Sequence, residues 1–210
     1  MPPFEPAVAT ASDTDEVVDL LATVFSESDP PAVAMGLSSA EMKLFLREVV
    51  PSVLPDGLTM IARCPETDRL AGVMLSDDFA SLPALEPGHI SPKLLPILSM
   101  LETLDEQFRR RKVIAHGQFL HLFMLGVGRQ FAGRGVAQGV VQACLANASG
   151  KGYRTALTEA TGRVSQHIFR KNGFTDRFRA CYKDFLFEGQ PVFALIREHE
   201  GAILMERMLD

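Results

Sequence analysis

The 210-residue sequence lacks several features, and each absence argues against a class of protein. It has only three cysteines, which are scattered and have neither CxxC spacing nor histidine partners at ligand spacing; they are Cys64, Cys144 and Cys181. This pattern indicates neither a disulfide framework nor a zinc site, so we expect no metal and a reducing, cytoplasmic location. No apolar run approaches the roughly 18 to 20 residues that span a bilayer, and no basic leader precedes an apolar core. The sequence predicts a soluble protein without a membrane partner.

An excess of positive charge is also missing. The formal net charge is −5 and the isoelectric point is about 5.6, so no general basic field attracts nucleic acid or an anionic membrane. Any anion-binding site therefore has to be local. With 47% hydrophobic residues, the chain is long enough to bury the core of one domain, which we expect to extend over residues 1–210.

Two amphipathic helices are expected near the N-terminus, the first ending near Phe25 and the second ending at Pro51, with an irregular acidic loop between them. A capping box precedes each helix, Ser12 with Asp15 and Ser38 with Glu41. The later segments predict a hairpin, a long helix with Pro96 in its first turn, a buried central strand, a helix, a strand, a short helix closed by Gly173, and two C-terminal strands. This alternation indicates an α/β fold.

The segment HLFMLGVGRQFAGRGVAQGVV, residues 121–141, runs from a buried strand through glycines and arginines into a helix. Such a turn collects unpaired backbone N–H groups and the positive end of a helix dipole, which together form a site for an anion. Gly133 and Gly135 allow a diphosphate to approach the backbone, and Arg129 and Arg134 add positive charge. The spacing fits neither the GxGxxG dinucleotide fingerprint nor the GK[ST] of a Walker loop. A glycine-rich turn with solvated arginines is the structural alternative.

Residues 130–135, QFAGRG, resemble the Q/R-x-x-G-x-G/A signature of the Gcn5-related N-acetyltransferase superfamily. The downstream segment SQHIFRKNGF, residues 165–174, is similar to the later helix of that family, and the strand RTALTEA lies between the two motifs. The resemblance covers about 110–187 and extends to the arylalkylamine N-acetyltransferases in the long helix before the central strand, in Ser165 and in the C-terminal EGAILMERM strand.

The resemblance implies a central mixed, twisted sheet of about six to seven strands, flanked by helices and splayed open where acetyl-CoA binds. Residues 1–112 would form the acceptor side, 113–187 the acetyl-CoA core and 188–210 a C-terminal strand. The implied activity is direct transfer of acetyl from acetyl-CoA to a primary amine, either a small molecule or a peptide, in a ternary complex. The residues implied at the cosubstrate are Leu125, Gly126, Val127, Arg129, Gln130, Phe131, Ala132, Gly133, Arg134, Gly135, Val136, Ala137, Ser165 and Phe169.

An amine that arrives as ammonium has to lose a proton before it attacks the thioester, and the oxyanion then needs an N–H donor. His121 is the first candidate base, since it lies on the central strand and matches a histidine of the vertebrate relatives; a place on the other face of the sheet is the alternative. Alternation puts His121 and Phe123 on one face and Leu122 and Met124 on the other. Other candidates are Glu27 and Asp29, beside a proline as in insect relatives, and Glu159; N–H donors are expected around Leu125 to Val127.

Two departures from the family pattern keep other functions open. Ala132 occupies a position where the family often has arginine, and Phe169 replaces a tyrosine that serves as the general acid. Ser165, Tyr182 or water would then protonate the thiolate, or it would leave unprotonated. A non-catalytic CoA sensor and an interaction protein without cofactor are the alternatives to an enzyme. No residue decides between a monomer and a homodimer.

Overall fold

The computed structural model describes residues 4–81 and 90–209. Thirteen main elements follow one another along these residues. In chain order they are β1 (Pro6–Val8), α1 (Thr14–Ser28), α2 (Pro30–Ala34), α3 (Ser39–Val53), β2 (Met60–Arg63), β3 (Leu70–Asp78), α4 (Leu95–Arg109), β4 (Phe119–Val127), α5 (Val136–Gly150), β5 (Thr155–Ala160), α6 (Arg163–Lys171), β6 (Thr175–Cys181) and β7 (Gly201–Met208).

The seven strands form one sheet in the order β1-β2-β3-β4-β5-β7-β6. The pairs are antiparallel except for the parallel pair β4–β5, so the expected mixed sheet is confirmed. The β4–β5 ladder joins only three residues, Phe119 to His121, with Thr155 to Leu157. The Thr158 hydroxyl donates to the Leu122 carbonyl oxygen at 2.8 Å. Beyond this contact the second half of β4 has no ladder with β5, and the sheet is splayed as the sequence predicted.

Each face of the sheet is covered by a separate apolar core. Buried side chains of α1, α3 and α4 pack on one face, which we call the α4 face. Those of α5 and α6 pack on the other, the α5 face. The largest fully buried side chains include Leu21, Met100 and Leu104 in the first core and Leu120 and Leu122 in the second. β4 is thus buried between two layers of helices.

A β-bulge in β4 corrects one prediction about side-chain direction. Leu75 pairs with Met124 while the next residue of β3, Ser76, pairs with Leu122, so Phe123 is the extra residue. An extra residue shifts the alternation of the strand. Phe123 and Met124 therefore both pack in the core of the α4 face, while Leu122 packs in the other. The prediction that Met124 lies opposite His121 was wrong because the sequence gives no sign of the bulge.

The N-terminal helices differ from prediction in their ends. The first capping box uses Thr10, whose N–H and hydroxyl both donate to the Asp13 carboxylate at 2.8 Å, and not Ser12 with Asp15. α1 continues past Phe25 to Ser28, and α3 passes through Pro51 to Val53. A proline in the last turn removes only one helical hydrogen bond. The predicted box of Ser38 with Glu41 is confirmed.

The loop between these helices is also more regular than expected, because α2 lies within it. Asp29 has extended backbone angles, as expected before a proline, and its side chain accepts from the Ala32 N–H. The hairpin and the later helices are found where the sequence predicted them, and β1 is an additional edge strand. The C-terminal strands are shorter than predicted: the one expected near 174–187 is Thr175–Cys181, and the strand assigned to 188–210 is Gly201–Met208, because turns occupy the residues between them. Among the described residues, no helix is both long and apolar enough to span a bilayer.

Candidate active site at the opening between β4 and β5

The glycine-rich turn after β4 has the backbone geometry that its sequence predicts. Gly133 and Gly135 have φ angles of +73° and +81°, which L side chains rarely adopt, and a Cβ at either position would point into open space. α5 begins directly after Gly135. The first recorded backbone bond into this helix is from the Gly139 N–H to the Gly135 carbonyl oxygen, at 3.0 Å. Among the described residues, the preceding N–H groups of Val136, Ala137 and Gln138 have no acceptor, as is typical of a helix N-terminus.

The side chains of this turn divide into two groups. Phe131 is buried, whereas Arg129, Gln130 and Ala132 are exposed. The Arg134 guanidinium lies over two rings, 4.9 Å from the centre of Phe4 and 5.7 Å from that of Phe131. These cation–π contacts hold one positive charge at the turn.

Two backbone N–H groups of β4 are directed into the opening. The Gly128 N–H donates to the Ala71 carbonyl oxygen of β3 at 2.9 Å. Because N–H groups alternate in direction along a strand, those of Leu125 and Val127 point away from β3 and toward β5. The β5 ladder ends at His121, so these groups face the splayed part of the sheet. An oxyanion donor was expected among these residues, and that assignment stays a prediction.

His121 is held between two carboxylates on the α4 face. Its Nδ1 is 2.8 Å from Asp77 Oδ1 on β3, and its Nε2 is 2.7 Å from Glu159 Oε2 on β5. Burial opposes the charged imidazolium, but the negative charges of Glu159 and Asp77 outweigh it and raise the His121 pKa well above 6.5. His121 is therefore an imidazolium at neutral pH and cannot accept a proton. This argues against the prediction that His121 is the general base.

Asp105 of α4 extends this cluster as the fourth member. It forms a side-chain hydrogen bond with Glu159. Burial, and then the charge of Glu159, raise the Asp105 pKa to about 9. Asp105 therefore holds a proton at neutral pH, while the charge of His121 keeps the Glu159 pKa below its ordinary value against burial. We call Asp77, His121, Glu159 and Asp105 the carboxyl cluster.

Asp29 forms a second buried acidic centre on the same face. Its Oδ1 accepts from the Thr161 hydroxyl at 2.5 Å, and its Oδ2 accepts from the Ala32 N–H at 3.1 Å. Burial raises the Asp29 pKa to about 6, although both hydrogen bonds oppose the rise. The Tyr182 hydroxyl donates to the Thr161 carbonyl oxygen at 2.6 Å. Through Thr161, Asp29 lies beside the C-terminal end of β5, in the splayed part of the sheet.

Other predicted residues lie apart from these centres. Glu27 is exposed in the last turn of α1. The Ser165 hydroxyl donates to the Gly162 carbonyl oxygen at 2.9 Å in the first turn of α6. Phe169 is buried and packs against Phe174, with ring centres 5.2 Å apart. Burial, and then the charge of Asp29, raise the pKa of Tyr182, so that it remains a phenol at neutral pH.

The sequence analysis missed Asp77 and Asp105, although the sequence around each residue indicates a buried carboxyl group. Asp77 lies in β3, a strand whose nine residues are all buried, and a carboxylate in such a strand needs a partner. Asp105 lies four residues after Leu101 and three before Phe108, on the apolar side of α4. An acid within an otherwise apolar stripe indicates a buried polar contact.

Comparison with known proteins identifies the fold. No protein-family model matches the sequence. The C-terminal condensation domain of Ebony, solved in complex with beta-alanyl-dopamine, matches with a TM-score of 0.91 and 19% identity over 99% of this chain and 100% of that domain. Arylalkylamine N-acetyltransferase 2 from Aedes aegypti matches with a TM-score of 0.82 and 19% identity over the whole of both chains.

A third similar structure is the Drosophila melanogaster polyamine N-acetyltransferase, described as catalysing the formation of N-acetylagmatine. Its TM-score is 0.74 and its identity 20%, over 99% of this chain and 100% of that one. At these identities the likeness establishes the fold alone. The chain has the Gcn5-related N-acetyltransferase fold, in the form found in the arylalkylamine enzymes, as its motifs predicted.

Proposed function

We propose that this protein transfers acetyl from acetyl-CoA directly to a primary amine in a ternary complex. The observation that supports this proposal best is the open, glycine-lined turn at the N-terminus of α5, next to the part of β4 that has no ladder with β5. A thioester in this opening lies beside backbone donors and two buried acidic centres. The combination suits acyl transfer.

The residues of the turn fit the pyrophosphate of CoA. The space above Gly133 and Gly135 is open, and the first N–H groups of α5 have no backbone acceptor recorded among the described residues. These groups and the dipole of α5 favour an anion. Arg134 adds one charge at the turn, and Arg129 is exposed beside it. Ala132 in place of arginine therefore leaves the main donors in place.

Asp29 is the better general base for the incoming ammonium. With a pKa of about 6 it is ionised at neutral pH and still basic enough to accept a proton. The freed nitrogen attacks the thioester carbonyl carbon, and the N–H groups of Leu125 and Val127 stabilise the oxyanion. Collapse of the tetrahedral intermediate breaks the carbon–sulfur bond and releases the CoA thiolate. The nitrogen loses its remaining excess proton as the amide forms, and the thiolate takes up one proton, so that one thiol is released per amide.

The acceptor would be a small cationic amine. The carboxyl cluster and Asp29 supply negative charge on the face where Phe123 packs, which suits an amine with a partly apolar body. Similar structures are named for arylalkylamines, agmatine and polyamines, which fall in this class. The beta-alanyl-dopamine bound by the Ebony domain adds aminoacyl groups to the acyl donors worth testing. We place the reaction in the cytoplasm, which suits the three free cysteines.

The first test is calorimetric titration with acetyl-CoA and with CoA, followed in the same sample by thiol release with aryl, alkyl and peptide amines. We expect micromolar binding and amine-dependent release of one thiol per amide formed. Binding without release from any amine would support a CoA sensor. Absence of binding would refute both the transferase and the sensor.

A glycine variant tests the turn itself. Gly135→Val places a β-branched side chain at a positive φ and in the space of the pyrophosphate, so binding of CoA should be lost. Gly139→Ala is the matched control one turn later, where the Cβ also meets open space but the backbone is helical. Gly135→Ala, a milder change, should still weaken binding. Equal affinity in Gly135→Ala, Gly135→Val and the parent would show that the turn does not hold the cosubstrate.

A further inference from the structure

The carboxyl cluster contains more acid than its own imidazole can balance. Three carboxyl groups, from three elements of the fold, surround a single imidazole. If all four groups were ionised, the charge would be three negative and one positive. Arg109 is the nearby cation on α4, and its guanidinium is used elsewhere, 4.0 Å from the centre of the Phe79 ring and donating to the Phe79 carbonyl oxygen. With Asp105 protonated, the carboxyl cluster still carries one more negative than positive charge.

Two oxygen atoms of the cluster are buried without an outside donor. Among the described residues, no group beyond the Asp105–Glu159 pair donates to Glu159 Oε1 or Asp105 Oδ1. The Glu159 side chain is only 3% exposed. Buried carboxylate oxygens without a donor are costly, so in the free protein a proton on Asp105 bridges the two carboxyl groups, consistent with its pKa of about 9. An ammonium group carries three N–H donors and could satisfy both oxygens in place of that proton.

We propose that Glu159 and Asp105 form a subsite for a second ammonium group of the substrate, one that does not react. The subsite rests on the proposed function, which places the substrate amine on the α4 face. It would make the enzyme selective for substrates with two cationic groups over matched substrates with one. Asp77 and His121 hold Glu159 in position from the other side.

The spacing of the two acidic centres agrees with this assignment. Glu159 and Thr161 are two residues apart on the line of β5, and their side chains contact groups on the same face. Such residues are separated by about 7 Å. Thr161 donates to Asp29, the proposed base. A short chain with an amine at each end can therefore reach both centres, with one nitrogen at Asp29 and the other at Glu159.

A second ammonium can come from either substrate. It can be the far amine of a diamine acceptor, or the amino group of an aminoacyl thioester donor. The chemistry recognised is the same, so matched probes have to separate the sources. 1,4-Diaminobutane with 1-aminobutane as its control tests the acceptor, and β-alanyl-CoA with butyryl-CoA as its control tests the donor.

Binding measurements test the subsite without any need for turnover. Titrations of each probe near pH 7.5 are repeated in buffers with different heats of ionisation, which counts the protons released. For at least one pair, the doubly cationic or aminoacyl probe should bind about tenfold to a hundredfold more tightly than its control. Its binding should also release close to one proton from the protein, because Asp105 is protonated before binding. Equal affinity within both pairs, or tight binding without proton release, would overturn the proposal.

Asp105→Asn keeps a donor toward Glu159 while removing both the negative charge and the displaceable proton. It should abolish the proton release and lower the affinity for the doubly cationic or aminoacyl probe to that for its control. Glu102→Gln removes an exposed acid from the same helix and should change neither. If Asp105→Asn weakens the control probes equally, the cluster is structural and the subsite is refuted.

The two proposals can fail separately. Should no amine release thiol while 1,4-diaminobutane still binds with proton release that depends on Asp105, the subsite stands and the transferase does not. Should thiol release occur with equal kcat/KM for the members of each pair, in the parent and in Asp105→Asn alike, the transferase stands and the subsite does not.

Discussion

Two buried carboxylates on one face of the sheet, Asp29 and Glu159, have opposite properties because their partners differ. Asp29 accepts hydrogen bonds from two neutral donors, the Thr161 hydroxyl and the Ala32 N–H. Burial dominates there, and the pKa rises to about 6. Glu159 is equally buried but contacts the imidazolium of His121, whose charge keeps the Glu159 pKa below its ordinary value.

The difference shows how one fold separates a proton acceptor from a fixed charge. Neutral hydrogen bonds leave a buried acid close to its titration point at neutral pH, where it can take up and release a proton. A neighbouring cation removes that ability and makes the acid a permanent electrostatic partner. Each prediction below changes one side of this contrast.

The largest effect is expected for Asp29→Asn. Asparagine caps helices as well as aspartate does, so α2 should form, but the base is lost. We expect turnover to fall about a hundredfold to ten-thousandfold. In the parent, kcat/KM should rise with pH through about 6 as Asp29 ionises. Rates measured from pH 5 to 9 check this. If kcat/KM of Asp29→Asn still rises with pH near 6, which we call the acid limb, another group is the base.

The next largest effect is expected for His121→Ala, and it should appear as a lower free energy of unfolding. It leaves Asp77 and Glu159 buried without their cation, a change that typically costs about 3–5 kcal/mol. Urea unfolding at pH 7 measures the loss. His167→Ala on the exposed side of α6 is the control and should change the free energy of unfolding by less than about 0.5 kcal/mol. A small loss in His121→Ala would mean that the two acids are stable when protonated.

A smaller effect is expected in the pH dependence of stability. The pKa values of His121 and Asp105 are both raised in the folded protein, so above pH 6.5 the native state binds more protons than the unfolded chain. The free energy of unfolding should therefore fall as pH rises from 6.5 to 9, by up to about 1.4 kcal/mol per pH unit for each proton. Asp105→Asn should reduce the slope, and stability that increases over this range would contradict these assignments.

The smallest effect is expected for Thr161→Val. The Thr161 hydroxyl opposes the rise of the Asp29 pKa, and its loss removes one hydrogen bond worth about 1 kcal/mol. The acid limb of the rate profile should move to higher pH, by a little under one unit. Thr175→Val on exposed β6 is a control with the same change in shape. An unshifted limb in Thr161→Val would separate that limb from Asp29.

The turn after β4 could be predicted because its chemistry is local. Gly133, Gly135 and the start of α5 are consecutive in sequence, and their positive φ angles and free N–H groups follow from glycine and helix geometry alone. The same is true of the Ser38 capping box. Helix ends were less accurate, since packing of Val53 carries α3 beyond Pro51.

The carboxyl cluster could not be assembled from the sequence because its members come from four separate elements. His121 and Glu159 were selected individually, but their contact depends on the short β4–β5 ladder, and Asp77 and Asp105 reach them only after the sheet and α4 have packed. For this reason the proposed base changes from His121 to Asp29. A histidine considered alone has an expected pKa near 6.5, whereas the two neighbouring carboxylates keep His121 protonated.

The three-residue ladder between β4 and β5 also divides the sheet into two sets of paired strands, which we expect to open as separate units. β1 to β4 form one unit, and β5, β7 and β6 form the other, each with long antiparallel ladders of its own. Amide hydrogens at the junction should exchange through separation of the units, and those inside each ladder through its own unfolding. A ligand seated in the opening touches both units and suppresses their separation, so protection at the junction reports occupancy directly.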